Sequence, residues 1–238
     1  MTITLDDVSN LLHFSIVGHF YTHQTLHADS RNGLLVESLR VASEETRHCR
    51  EAHVHLSWLR DVYEDACSKR QWTVVARAYL LHLVGCTIFA SKSATSVSVI
   101  YLGFFVDLRM TGGYSWATTA LSHMYEQLGD CSYAKTRKLL DTLTPGSIQF
   151  SPYDEHREER PFEWISLFSG YLRLGNWTQL HMLECVLCQY GYAQFILRHP
   201  YVVRDEDPTT DEMDRQWLHL HRGDNAGWAR SPLPKSAG

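Results

Sequence analysis

The stretch QWTVVARAYLLHLVGCTIFASKSA, residues 71–94, does most to decide the fold class of this chain. From Trp72 to Phe89 it is apolar nearly all round, which is typical of the central helix of a bundle. The flanking stretches continue with apolar residues at helical spacing, and Gly and Ser turns separate them. They read HVHLSWLRDVYEDAC (53–67) and VIYLGFFVDLRMTGGYSWATTALSHMYEQL (99–128). The pattern favours a helical domain that packs and presents surface over an enzyme.

Working outward, the chain begins with Thr2–Leu5, where polar and apolar residues alternate and predict a short strand. A helix should follow from Asp6, because acidic residues suit the electropositive start of a helix. We expect a loop over 18–32 and one continuous helix from Glu44 to Cys67. Residues 97–108 fit a strand or a helix, and we favour the helix. Other apolar repeats predict helices at 34–39, 114–128, 162–174, 180–192 and 212–220.

The fold expected is therefore mainly α: an irregular multi-helix domain with a short N-terminal strand and minor β structure. Composition adds three expectations. The formal charge of −5, without a run of Lys or Arg, argues against binding to nucleic-acid phosphates. Six cysteines set mostly in apolar helical patterns, and no signal peptide at Met1, fit a reducing intracellular compartment. Arg77 and His82 inside the apolar stretch 72–90 favour a buried helix over a membrane span.

Four strings in this chain resemble the plant mobile domain family, also called maintenance-of-meristems-like or "aminotransferase-like". They are MTITLDDVSNLL (1–12), HLSWLRDVY (55–63), RAYLLHLVGCTIFASKSA (77–94) and ISLFSGYLRLG (165–175). They occur here in the family's order. The resemblance implies a mostly helical nuclear protein, related to retrotransposon-encoded proteins. Its implied roles are transposon silencing, genome stability and meristem maintenance.

The resemblance also implies a protein partner, one candidate being a phosphatase-7-like protein. The residues themselves indicate neither a cofactor nor a membrane. Compared with the family, this chain looks like a shortened copy that lacks N-terminal and internal segments. We therefore expect a shortened domain over 1–199 and an acidic, partly disordered tail over 200–238. A non-functional truncated copy is the alternative that these departures suggest.

The residues predict no catalytic site. None of the five lysines has the setting of a pyridoxal-phosphate lysine, so the aminotransferase label is not supported. The charged loop Tyr153–Arg160 does contain acid, base and imidazole groups, which makes a hydrolase or transferase the enzymatic alternative. If this loop has a role, partner recognition fits better than catalysis. The interaction candidates are Tyr153, His156, Arg157 and Trp164.

Aromatic residues often dominate binding energy, so five tryptophans are possible anchors for a partner. They are Trp58, Trp72, Trp116, Trp164 and Trp177.

Two groups of His and Cys have the residue types of metal ligands. His181, Cys185 and Cys188 are weak zinc candidates, because zinc needs a fourth ligand that the sequence does not supply. Two buried thiols one helical turn apart are the simpler interpretation. His48, Cys49, His53 and His55 are interpreted as the solvated face of the helix predicted over 44–67.

Overall fold

A computed structural model describes residues 3–22, 28–50, 52–90, 95–130, 153, 157–175, 177–182 and 208–221. They are mostly helical with a few short strands, which confirms the mainly α expectation. The helices are α1 (Leu5–Leu12), α2 (Ala28–Leu39), α3 (Leu56–Ser68), α4 (Trp72–Cys86), α5 (Trp116–Asp130) and α6 (Thr210–His221). The strands are β1 (His53–His55), β2 (Ser96–Ser98), β3 (Gly170–Leu174) and β4 (Trp177–His181).

Four short 3-10 turns lie between these elements: Ser43–His48, Val99–Phe105, Thr111–Gly113 and Trp164–Leu167. The chain divides into two compact units. Unit 1 takes its described residues from 1–20, 115–173 and 177–238, and unit 2 takes them from 21–114 and 174–176.

In unit 1, Thr4 starts α1. Its side-chain oxygen accepts from the Asp7 amide, and the Asp7 carboxylate accepts from the Thr4 amide, so the two form a capping box. Leu5 and Val8 are buried, and α1 ends at His13, which has a φ of 59°. The prediction of an N-terminal strand over Thr2–Leu5 is therefore wrong for the described residues 3–5. The capping chemistry of Thr4 outweighs the short alternation of side chains.

Helix α5 and the 3-10 turn Trp164–Leu167 contact α1. Helix α5 lies against it with Ala117, Ala120 and Leu121 buried, close to the predicted 114–128 helix. The helix predicted over 162–174 is wrong, because the 3-10 turn and β3 occupy that segment. Residues 171–174 are all buried, and a continuous buried run in a strand has no period that distinguishes it from a helix. The helix predicted over 180–192 is also wrong at its start, because β4 reaches His181, and residues 183–192 lie outside the described residues.

Helix α6 confirms the helix predicted around 212–220 and packs into unit 1. The Trp217 side chain is fully buried, and its Nε1 donates to the Gly18 carbonyl at 2.7 Å. Its ring stacks on Phe20 and meets the Phe168 ring edge-on. Beside it, buried Arg173 of β3 donates to both carboxylate oxygens of Asp214. An aromatic core and a paired charge thus attach α6 to unit 1.

In unit 2, α3 packs against α4 through buried Leu59, Val62 and Leu81. The continuous helix predicted over 44–67 is wrong. A 3-10 turn ends at His48, Arg50 and His53 exchange backbone hydrogen bonds, and α3 starts only at Leu56. Ala52, with a φ of 71°, makes the bend that a continuous helix could not contain.

Strands β1 and β2 of unit 2 are antiparallel, with Val54 opposite Val97. The helix that we favoured over 97–108 is therefore replaced by a strand and a 3-10 turn. Leu102, Phe104 and Phe105 of that turn are buried in the core. The loop expected over 18–32 is also shorter than predicted, since α2 already begins at Ala28. No helix in the described part of the chain is long and apolar enough to cross a membrane.

Candidate interaction surfaces

Two of the predicted interaction residues, Tyr153 and Arg157, contact the first turn of α1. Arg157 donates from two guanidinium nitrogens to the Asp6 carboxylate, at 2.9 and 2.6 Å. The Tyr153 hydroxyl donates to the Asp7 carboxylate at 3.0 Å. We call these four side chains the α1 carboxylate cluster. The capping geometry of Thr4 explains the cluster, because it places two neighbouring carboxylates at the start of one helix.

The cluster is part-buried. Only 8% of the Asp6 side chain and 27% of the Arg157 side chain are exposed, and the guanidinium also lies over the rings of Tyr153 and Phe162. Burial, and then the negative charge of Asp7, raise the pKa of the Tyr153 phenol. A phenol that keeps its proton is a stable hydrogen-bond donor and a poor general base. The arrangement therefore holds Tyr153 and Arg157 against α1 and leaves their polar groups occupied.

The other two interaction candidates differ from this pair. Trp164 is 64% exposed and meets the Phe162 ring edge-on, on a 3-10 turn that contacts α1. Leu11, Leu12 and Val17 of the same unit are exposed as well. His156 lies outside the described residues. Unit 1 thus shows apolar side chains to solvent, with Trp164 the largest of those named here.

Unit 2 has a longer apolar surface along α4. Trp72, Tyr79 and Leu83 are 66%, 55% and 42% exposed. Their spacings of seven and four residues place them on one face of the helix. We call them the α4 stripe. The expectation that α4 is buried all round is therefore wrong, because only the opposite face, with Val74, Ala78 and Leu81, is in the core.

Arg77, the formally charged side chain of α4, is directed elsewhere. Arg77 donates to the backbone carbonyls of Ser38, Phe105 and Val106, which fixes its guanidinium against the rest of unit 2. Tyr63 of α3 lies beside Tyr79, with 6.3 Å between ring centroids. The stripe is thus a row of large apolar side chains without a charged member, a surface suited to contact with another protein.

The remaining predicted anchors are less exposed. Trp58 is buried, and Trp116 and Trp177 are half-buried, which leaves Trp72 and Trp164 as the exposed ones of the five. Sequence reasoning missed Tyr79 and Leu83 as surface residues. An apolar pattern that runs all round a helix does not indicate which face meets solvent, so the sequence held no signal for them.

The zinc candidate His181 lies in a buried contact with Tyr125. The Tyr125 hydroxyl donates to the Ile3 carbonyl at 2.8 Å and lies 3.0 Å from His181 Nδ1. Cys185 and Cys188 lie outside the described residues. Within the described ranges, no group of three metal-ligating side chains occurs.

The second His and Cys group is not a helix face, because its residues span the 3-10 turn and β1. His48 stacks against Trp58, with 5.6 Å between ring centroids. His53 and His55 are exposed on β1, on either side of buried Val54. Cys49 lines a cavity in unit 2.

Comparison with known proteins identifies relatives of this chain. The family model "Plant mobile domain" matches residues 1–136. The chain is 34% identical to Protein MAIN-LIKE 1 of Arabidopsis thaliana over 60% of this chain and 29% of that protein. It is 32% identical to Protein MAIN-LIKE 2 of the same plant, over 60% and 22% of the two chains.

A third relative from that plant, Protein MAINTENANCE OF MERISTEMS, is 31% identical over 56% of this chain and 28% of its own length. The matched part therefore spans less than a third of each of these relatives. No solved structure matches. The α4 stripe lies inside the segment that the family model matches, whereas Tyr153, Arg157 and Trp164 lie beyond it.

Proposed function

The chain belongs to the plant mobile domain family, and from that premise we propose that it is a non-enzymatic protein-interaction domain. The observation that carries the proposal is the α4 stripe. Three large apolar side chains on one helix face, two of them aromatic, are exposed while the opposite face is in the core. Buried aromatic contacts supply much of the binding energy in protein interfaces, so Trp72 and Tyr79 are the proposed anchors.

The biological setting that we propose is the plant nucleus. One relative bears the name maintenance of meristems, and the family resemblance implies silencing of transposons or genes and genome stability. A phosphatase-7-like protein is the partner that the resemblance suggests. These roles fit a domain that docks a second protein without catalysing a reaction.

The enzymatic alternative, a hydrolase or transferase that uses the Tyr153–Arg160 loop, has less support. Tyr153 and Arg157 bind the α1 carboxylates, and burial and the Asp7 charge hold the phenol in its protonated form. Both side chains serve the packing of unit 1, so neither is set up for proton transfer to a substrate.

The test is affinity capture from plant nuclear extract with the whole chain as bait. A variant with Trp72→Ser, Tyr79→Ser and Leu83→Ser removes the α4 stripe and leaves the buried face of α4 unchanged. A Trp164→Ser variant is the matched control, because it removes an equally exposed tryptophan from unit 1. We expect the wild-type chain and the control to retain a stoichiometric partner that the stripe variant loses.

Two further steps make the capture decisive. Far-UV circular dichroism must show equal helix content for all three baits. A purified phosphatase-7-like protein is then tested directly against each bait. If the stripe variant, folded like the wild type, captures the same proteins in the same amounts, the proposal is wrong.

A further inference from the structure

A polar cavity of about 370 Å³ lies in unit 2, between the first turn of α2 and the 3-10 turn Ser43–His48. Its lining includes two arginines, Arg31 and Arg47, together with the Asn32 amide and the Ser43 hydroxyl. Glu44 is the carboxylate in the lining. Cavities of this size hold small molecules, and most such ligands are oriented by a few polar groups.

The two arginines differ from other arginines of the described chain. Arg77, Arg157 and Arg173 each donate to carbonyl or carboxylate oxygens. Arg31 and Arg47 have no hydrogen bond or carboxylate partner among the described residues, and the Nε atom of Arg31 is buried. A guanidinium beside a cavity that has no acceptor within the described protein can pair with an oxyanion from a ligand.

The remaining groups leave the cavity with an excess of positive charge. Burial raises the pKa of the Cys49 thiol, more than Arg31 and the Ala52 amide lower it, so the thiol is neutral at pH 7. Among the described lining residues, two guanidinium groups then face one carboxylate. Asn32 and Ser43 add neutral donors, which suit the several oxygens of a tetrahedral anion.

We propose that this cavity binds a small molecule through a phosphate group held by Arg31 and Arg47. Two planar guanidinium groups match the geometry and the double charge of a phosphate monoester better than the single charge of a carboxylate. The cavity is larger than a phosphate ion needs, which leaves room for the organic part of an ester. This site does not depend on the protein-interaction function or on the α4 stripe.

Calorimetric titration of the whole chain at low salt tests the site, with inorganic phosphate, pyrophosphate and acetate as probes. We expect phosphate and pyrophosphate to bind with millimolar or lower dissociation constants and acetate to bind at least about tenfold more weakly. Arg31→Gln should weaken pyrophosphate binding about tenfold or more. Arg109→Gln, a change at an exposed arginine of unit 2 that pairs with Asp107, should leave it unchanged.

Arg47→Gln is the second variant, because Arg47 is exposed and its loss should not disturb folding. It should also weaken binding of pyrophosphate. Absence of phosphate and pyrophosphate binding to the folded wild-type chain would overturn the proposal. Equal affinity for acetate, or unchanged binding in both the Arg31 and Arg47 variants, would overturn it as well.

Discussion

At the scale of single residues, the pairing of Arg157 with Asp6 is a contact whose loss should destabilise the fold. Arg157→Ala leaves a carboxylate that is only 8% exposed without its cation. We expect a loss of about 2–3 kcal/mol in the free energy of unfolding, because the part-buried carboxylate then loses both hydrogen bonds from the guanidinium and keeps the one from the Asn10 amide. Urea unfolding followed by circular dichroism measures it.

Arg109→Ala is the control for this prediction, since it removes an arginine–aspartate pair whose arginine is 90% exposed. Exposed pairs contribute little to stability. Equal effects of the two substitutions would show that the Asp6 pair is not a stabilising contact.

The buried phenol of Tyr21 should make the stability of the protein depend on pH in the alkaline range. Tyr21 is buried, donates to the Ile100 carbonyl at 3.1 Å, and burial, and then Tyr114, raise the pKa of its phenol. In the unfolded chain a tyrosine loses its proton near pH 10. Above about pH 10 the folded state therefore binds more protons than the unfolded state, and stability falls as pH rises.

The measurement is the free energy of unfolding between about pH 9 and 11. Tyr21→Phe should reduce the loss of stability over this range without abolishing it, because the raised pKa of Tyr153 acts in the same direction. If the free energy of unfolding of Tyr21→Phe falls with pH as steeply as that of the wild type, this role of Tyr21 is contradicted.

At the scale of elements, two helical glycines should respond oppositely to alanine. A Cβ on Gly85 of α4 would lie 2.7 Å from the Cβ of Val97, so α4 and β2 would have to separate. A Cβ on Gly33 of α2 would meet nothing within 4 Å. We expect Gly85→Ala to lower the free energy of unfolding by about 1–3 kcal/mol and Gly33→Ala to raise it by about 0.5–1 kcal/mol. Thermal and urea unfolding of both variants measure these changes. If both substitutions destabilise the protein, or both stabilise it, the packing described here is contradicted.

The elements that the sequence predicted well are those with a clear local signal. Acidic residues indicated where α1 begins, and the patterns of α5 and α6 located those two helices to within a few residues. The failures have long-range causes. Val54 pairs with Val97 across more than forty residues of sequence, so the pattern after residue 97, which fits a strand or a helix, could not be decided locally. Residues 171–174 of β3 are all buried, so that strand has no alternation to identify it.

The candidate surfaces were predictable in part. Trp164 and Trp72 stood out by residue type, whereas the exposure of Tyr79 and Leu83 follows from which face of α4 meets α3. That choice depends on the packing of the whole unit. The bonds of Tyr153 and Arg157 to α1 join residues about 150 positions apart, and no local pattern indicates them.

At the scale of the whole molecule, residues 21–114 should fold on their own. They contain a buried core that includes Leu59, Leu81 and Phe104, and the rings of Tyr21 and Tyr114 at the two ends of the segment are 5.6 Å apart. We expect the isolated segment to unfold cooperatively in urea. The transition followed by circular dichroism should coincide with the one followed by the fluorescence of Trp58 and Trp72. Non-coincident transitions would show that the segment depends on the rest of the chain.

The packing of Trp217 against Phe20 has a consequence for how the sequences of related domains diverge. Phe20 and Gly18 lie inside the segment matched by the family model, and the tryptophan that covers them lies about eighty residues past its end. The side chain against which Phe20 packs therefore lies outside the matched segment, so the constraint on Phe20 depends on a residue beyond that segment. A copy with no equivalent of α6 must cover Phe20 with a different side chain or replace it with a polar one. Substitutions at Phe20 and Trp217 should therefore covary among related chains.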